Sequence, residues 1–438
     1  MVKDDNVAQP SVKNLGWLVT VAGTGALLAL GVLYAWSVIK RNIPAEWGWL
    51  DWQKTLPYSV ACVIFSLMMV LGGRLQDRFG PRLVVTIGGV LAGLGMVISS
   101  QTTSPWIYTL SFGLLLGTGI GFVYASATPA AVKWFPAKKT GMIAGIVVAG
   151  FGMGSAWVAP LAKSLIDTYG VQTTMLWLGI GMFVAVVTFA QFLRIPPAGY
   201  IPAGSTPIKT EEATKRSDFV PREVIKSWQF YVLWITFAFS AGAGLMIIGN
   251  LATIIGDQAK QPALSALAVS VLAIGNGGGR VLAGTLSDKF GRKAILFTSF
   301  VFQAILIFLM SKTVAGSVLA TVPVLMALSA LIGANYGANL AVFPAITKDY
   351  YGLKNFGMNY GLVYTAWGLG GFMLSLAAGA INDATKTFTY AYFLAAGLLV
   401  VASIMMVMIK SPQKKLPAPE GDINIHPTAE VTIPALKD

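Results

Sequence analysis

Charge is what this 438-residue chain has least of: 11% of its residues are Asp, Glu, Lys or Arg, against 55% hydrophobic ones and a mean hydropathy of +0.69. An ordinary soluble domain is about a quarter charged, so there is too little charge to cover a water-facing surface of this size. That excludes a secreted, cytosolic or disordered protein. The apolar residues run in long blocks rather than weak alternating segments, which excludes a β-barrel. A single cysteine, Cys62, excludes an intramolecular disulfide and a cysteine-based metal cluster. The one histidine, His426, lies in a polar tail. With no histidine in an apolar run, no metal constellation and no nucleotide motif, the sequence offers no support for an enzyme, a metal or a cofactor. What remains is an all-α membrane protein.

A helix needs about 20 apolar residues to cross a ~30 Å hydrocarbon core. Twelve such runs are present, near residues 15–39, 53–73, 82–101, 105–131, 140–165, 171–193, 228–252, 263–286, 294–312, 317–343, 356–381 and 387–409. An even number puts both termini on one side, and Lys and Arg say which. With a cytoplasmic N-terminus, 23 basic residues fall in inside segments and seven outside (Lys40, Arg41, Lys54, Lys163, Lys260, Lys312 and Lys386). This asymmetry predicts a protein of the inner cell membrane with both termini cytoplasmic. It also turns the net charge of +13 into a topology signal rather than a nucleic-acid patch. Residues 1–14 are polar and the run behind them has full spanning length with no obvious cleavage site, so no cleavable signal peptide is expected.

The expected organisation is a cytoplasmic N-terminus (1–14), a six-helix bundle (15–193), a cytoplasmic linker (194–227), a second six-helix bundle (228–409) and a disordered tail (410–438). The linker is rich in Pro, Gly and charge, and its residues 221–228 read as a short interfacial helix.

The two bundles share a repeat. Gly73-Arg-Leu-Gln-Asp77-Arg78-Phe-Gly80-Pro-Arg82 closes the second span, and Gly284-Thr-Leu-Ser-Asp288-Lys289-Phe-Gly291-Arg292-Lys293 closes the eighth, 211 residues later. Lys133-Trp-Phe-Pro and Lys348-Asp-Tyr-Tyr form a second, looser pair. The doubled G-x-L-x-D-[RK]-x-G pattern resembles the loop signature of the major facilitator superfamily. The resemblance implies twelve transmembrane helices in two pseudo-symmetric six-helix bundles. It also implies a gating latch at Gly73, Asp77, Arg78 and Gly80 in the first copy, and at Gly284, Asp288, Lys289, Gly291 and Arg292 in the second. A short basic turn that only anchors topology is the plainer reading. Two related halves around a central path imply alternating access, with substrate near the midplane. Small-residue stripes at Gly113/Gly117/Gly121, Gly141/Gly145, Gly150/Gly154 and Gly357/Gly361 predict close packing between mobile helices.

All 18 acidic residues fall in loops, tails or span ends. The exceptional charge is Arg280, eight residues before Asp288 and therefore about 12 Å into the bilayer. An arginine at that depth costs about 3 kcal/mol even on lenient scales and must face protein or water. Without a carboxylate at the same depth, an anionic substrate becomes its natural partner, because a planar guanidinium matches a carboxylate with two parallel hydrogen bonds. Snorkelling to the cytoplasmic face, or bonding to backbone carbonyls of residues 275–279, would satisfy it otherwise. Asn276 shares its helical face. Tyr34, Tyr124, Tyr336, Tyr364 and Trp367 sit well inside apolar segments, as substrate contacts or as packing.

Gly31-Val-Leu-Tyr34-Ala-Trp36-Ser37, and Gly117-Thr-Gly-Ile-Gly121-Phe-Val-Tyr124 leading to Lys133-Trp-Phe-Pro136, resemble the first and fourth spans of the oxalate/formate antiporter branch. That resemblance implies that Arg280, Tyr34 and Tyr124 bind substrate, with Tyr336 and Tyr364 lining the cavity. Oxalate-type members carry a lysine where this chain has Trp367, which disfavours a dianion and favours a small monocarboxylate such as L-lactate or pyruvate. The chain is also similar to bacterial relatives of the mammalian proton-coupled monocarboxylate transporters, whose Asp–Arg pair on the eighth span is matched here by Asn276 and Arg280. The expected function is secondary transport of a monocarboxylate with protons as co-substrate, by a monomer in the lipid bilayer. A carboxylate exchanger is the alternative, and a substrate-sensing receptor is a third class.

Overall fold

A computed structural model describes residues 14–136, 139–197, 200, 202, 218–352 and 355–412. The polar N-terminus, most of the linker and the tail from residue 413, with His426, lie outside the described residues. The regular elements among them are all helices. Twelve cross the expected membrane: α1 Gly16–Arg41, α2 Asp51–Phe79, α3 Pro81–Ser99, α4 Pro105–Val132, α5 (140–169), α6 (171–190), α7 Trp228–Gln258, α8 Pro262–Phe290, α9 Arg292–Met310, α10 Val322–Tyr351, α11 Phe356–Thr385 and α12 Thr389–Met408. Helical residues run on from Thr140 to Ala190, and the break that makes two spans of them is Gly170, at φ 76° and ψ 174°. That left-handed φ suits glycine alone at low cost.

The repeated motif earns its glycines structurally. Gly80 (φ 83°) and Gly291 (φ 90°) turn the chain between α2 and α3 and between α8 and α9. Pro81, directly after the first, begins α3 at a position where its missing N–H costs nothing. Several helices overrun their apolar runs: α2 continues to Phe79 and α10 to Tyr351. Hydropathy reports the thickness of hydrocarbon, whereas backbone bonding carries a helix into the aqueous loop. The short helix expected over 221–228 is one turn, Pro221–Val224, before Ser227 caps α7 through the N–H of Phe230.

The bundles meet along two long seams, α2 against α11 and α5 against α8, with the second half of α1 against α7. The helix bearing Arg280 is held tightly in its own bundle. Cβ atoms on Gly275 or Gly279 of α8 would run into the Ala330 and Ala334 carbonyls of α10, and those on Gly333 or Gly337 into Leu272 and Asn276. Those α8 glycines therefore serve helix–helix contact, and the alternative in which their carbonyls satisfy Arg280 is set aside by the bonds described below.

Of the stripes, Gly113, Gly117 and Gly121 face α2, and Gly150 and Gly154 face α1. Gly361 faces Val70 of α2. Gly141, Gly145 and Gly357 do not pack: a Cβ there would meet nothing within 4 Å, so periodicity alone misreads them.

Candidate functional site: a buried guanidinium in an aromatic box

Arg280 sits at the α5–α8 seam, only 5% exposed. Its Nε donates to Oδ1 of Asn276 one turn earlier at 3.1 Å, and its Nη1 donates to the Val148 carbonyl of α5 at 2.8 Å. The side chain thus spans both bundles. It fits because residue 152 is glycine: a Cβ there would stand 3.1 Å from three guanidinium atoms. Snorkelling is excluded by these bonds. The third nitrogen, Nη2, is buried without a hydrogen bond of good geometry, although the Tyr124 hydroxyl comes close to the guanidinium, and Nδ2 of Asn276 is buried with no partner. Among the described residues no carboxylate lies within 4 Å of Arg280. Orphaned buried donors are uncommon because each costs about 1–3 kcal/mol. Two on adjacent side chains leave a locus that lacks acceptors.

Rings enclose it. Tyr34 of α1 and Tyr336 of α10 share a hydroxyl–hydroxyl bond of 2.8 Å, and the Trp367 indole N–H of α11 donates to Tyr336 Oη at 2.7 Å. Indole nitrogen can only donate, so Tyr336 accepts there. Tyr364 stacks on Trp367 at 5.4 Å and lies 6.2 Å from Tyr124 of α4. The hydroxyls of Tyr34, Tyr124, Tyr336 and Tyr364 all lie in the electrostatic field of Arg280. All seven residues singled out at the centre are therefore brought together, from α1, α4, α8, α10 and α11.

Sequence reading missed the hub of that box. Phe65 of α2 contacts Tyr124, Phe151, Tyr364 and Trp367 at 5.0–6.0 Å, and Phe151 of α5 lies 4.8 Å from Tyr34. A phenylalanine in an apolar run gives no sign of which way it faces. Gly152 and the Val148 carbonyl were equally invisible, since a backbone acceptor has no side-chain signature.

Arg280 is also not the sole buried charge. Lys40, expected in an outside loop, closes α1 at 1% exposure. Its Nζ donates to Asp51 (3.1 Å), Thr55 (2.8 Å) and Asn250 of α7 (2.6 Å), so all three of its protons are matched. Polar residues at one depth on spans 1, 2 and 7 were the available signal.

The loop residues lie elsewhere, at the opposite end of the molecule. Asp77 pairs with Lys133 at 3.9 Å, and Arg292 pairs with Asp288 and, at 3.2 Å, with Asp349. Arg78 and Lys289 lie over the rings of Phe79 and Phe290. Each of these pairs stays within one bundle. Gly73 has open space beside it, and a Cβ on Gly284 would make an ordinary 3.9 Å contact, so neither mediates a close approach.

The sequence matches the Major Facilitator Superfamily over residues 21–281 and again over 233–437. The chain belongs to that superfamily, a family of membrane transporters. It is 29% identical over 337 residues to the oxalate:formate antiporter of Oxalobacter formigenes, covering 77% of each chain. It is 26% identical to Monocarboxylate transporter 11 of Homo sapiens, covering 91% of this chain and 84% of that one. The crystal structure of the nucleoside transporter NupG superposes with a TM-score of 0.67 at 15% identity, over 91% of this chain and all of that one. That likeness is one of fold.

Proposed function

We propose that this Major Facilitator Superfamily member carries small monocarboxylates such as L-lactate or pyruvate across the inner cell membrane, by alternating access and with protons. The observation that carries the reading is the pair of unpartnered donors, Arg280 Nη2 and Asn276 Nδ2, in a site without a carboxylate. A carboxylate oxygen is the acceptor such a pair calls for, and one guanidinium balances one negative charge. The indole of Trp367 gives the far wall an apolar face, suited to a methyl or other small body rather than to a second carboxylate. Relatives named for monocarboxylates and for oxalate and formate belong to the same chemistry. The excess of basic residues at the repeated-loop end orients that end, with both termini, toward the cytoplasm.

In this cycle the two bundles rock about Arg280, which touches both. An empty carrier would move a bare buried cation, whereas a bound carboxylate pairs that charge, so the loaded form reorients faster, and a proton moving with it needs a group of its own. Among the described residues the site holds no acid to carry that proton, and this favours a second reading, exchange of one carboxylate for another.

Uptake of labelled L-lactate into proteoliposomes with an alkaline interior and no internal substrate separates the two. Symport predicts accumulation that a protonophore collapses. Uptake only after preloading with a carboxylate would replace it with exchange. Substituting Arg280→Gln should abolish binding, and saturable transport by that variant would overturn the site assignment.

A further inference from the structure

At the outer face, one carboxylate of the second bundle does a job that a helix of the first bundle cannot do for itself. α2 starts at Asp51 behind Leu50, whose side chain accepts no hydrogen bond, so the first N–H groups of the helix lack a cap from that residue. Asp383, in the last turn of α11, supplies it across the bundle boundary. Its two oxygens accept from the N–H groups of Asp51 and Trp52, each at 2.8 Å. Such a bond is charge-assisted and sits on the positive end of the helix. Beside it Asn382 donates to the Asp51 carboxylate at 3.3 Å, and Lys40 reaches Asn250 of α7. Among the described residues the remaining ionic contact between bundles at this face, Arg41 to Asp257, joins a part-buried arginine to an exposed carboxylate, where water screens the pair.

We propose that Asp383 is the latch of the outer gate, a positioning residue whose charge sets how often the central site opens outward. The inference rests on the alternating-access reading given above. Its bonds are divided in a way that suits a gate. Those that opening must break join α11 or α7 to the first bundle, and all of their groups can turn to water. The ion pair of the buried Lys40 with Asp51 and its hydrogen bond to Thr55 lie wholly within the first bundle and survive the motion. Opening therefore strands no buried charge.

The test is a distance measurement that needs no substrate. Spin labels on cysteines introduced at Gln101 and Val318, in outer loops of opposite bundles, report the gap by pulsed EPR in nanodiscs, with Cys62→Ala as background. Asp383→Asn should raise the long-distance population at least about fivefold relative to the unsubstituted latch. Leu50→Ser gives α2 a cap of its own, competes with Asp383 for the Trp52 N–H, and should move the distribution the same way without weakening the helix. An unchanged distribution in a folded Asp383→Asn protein, or in Leu50→Ser should the first fail to fold, overturns the latch. Because lactate uptake is measured separately, failure of the latch and failure of the transport reading are told apart.

Discussion

Replacing Asn276 by aspartate would test the central site at the atom where the argument is made. Asn276 Oδ1 already lies 3.1 Å from Arg280 Nε, so the substitution places a carboxylate against the guanidinium with almost no movement. It also deletes the orphaned Nδ2 donor. Two unit charges about 4 Å apart at an effective dielectric of about 20 attract by roughly 4 kcal/mol, equivalent to about three decades in affinity. Arriving substrate would meet a neutralised cation and a like charge. Since Nη2 stays free to share, part of that ceiling is lost, and a weakening of at least about tenfold at pH ~8 is expected. The substrate-free protein should unfold at a higher temperature, its arginine having gained a counter-ion, while stabilisation by added lactate shrinks with the lost affinity. Isothermal titration at pH ~8, with thermal unfolding in the absence and presence of lactate, supplies all three readouts. Alkaline affinity within a factor of two of the starting protein would refute the idea that this edge of Arg280 faces the anion.

Trp367→Lys exchanges the indole wall for a second ammonium. It should let oxalate compete for the site better than in the unsubstituted protein and weaken L-lactate, as read by inhibition of lactate uptake, and equal inhibition by oxalate in the two proteins would remove Trp367 as the discriminating residue. Packing gives a matched pair. A Cβ on Gly154 would stand 2.5 Å from the Gly31 backbone, so Gly154→Ala should destabilise by about 1–3 kcal/mol. Gly145→Ala meets open space and should leave the unfolding temperature nearly unchanged. Equal effects in thermal unfolding would contradict the packing described for α1 and α5.

The fold was legible because the bilayer imposes one-dimensional constraints. Twelve apolar runs, the basic asymmetry and a motif repeated 211 residues apart are properties of order along the chain, and each survives without knowledge of contacts. What was not legible depends on direction around a helix axis. Gly145 and Gly154 look alike in sequence, yet one faces open space and the other the backbone of α1. Lys40 lies one residue past an apolar run, where depth alone suggests solvent. Only the approach of Thr55 and Asn250 from two other helices makes it a buried, fully bonded cation.

The site divides along the same line. Arg280 was conspicuous because an isolated charge at the midplane is costly wherever it points. Its surroundings were visible only as candidates, because tyrosine and tryptophan serve packing and recognition with the same atoms. The structure adds the count of donors and acceptors around it. Arg280 spends two of its nitrogens on Val148 and Asn276, which fixes the plane of the guanidinium, and keeps the third unspent beside an equally unspent amide. A guanidinium serving packing alone would gain from matching that last edge too, and a backbone carbonyl or an asparagine oxygen could have done so. Leaving the edge bare inside a ring of aromatics costs stability in the empty protein. A carboxylate entering from outside the chain recovers that cost, so the strength of binding and the instability of the empty site have a common origin.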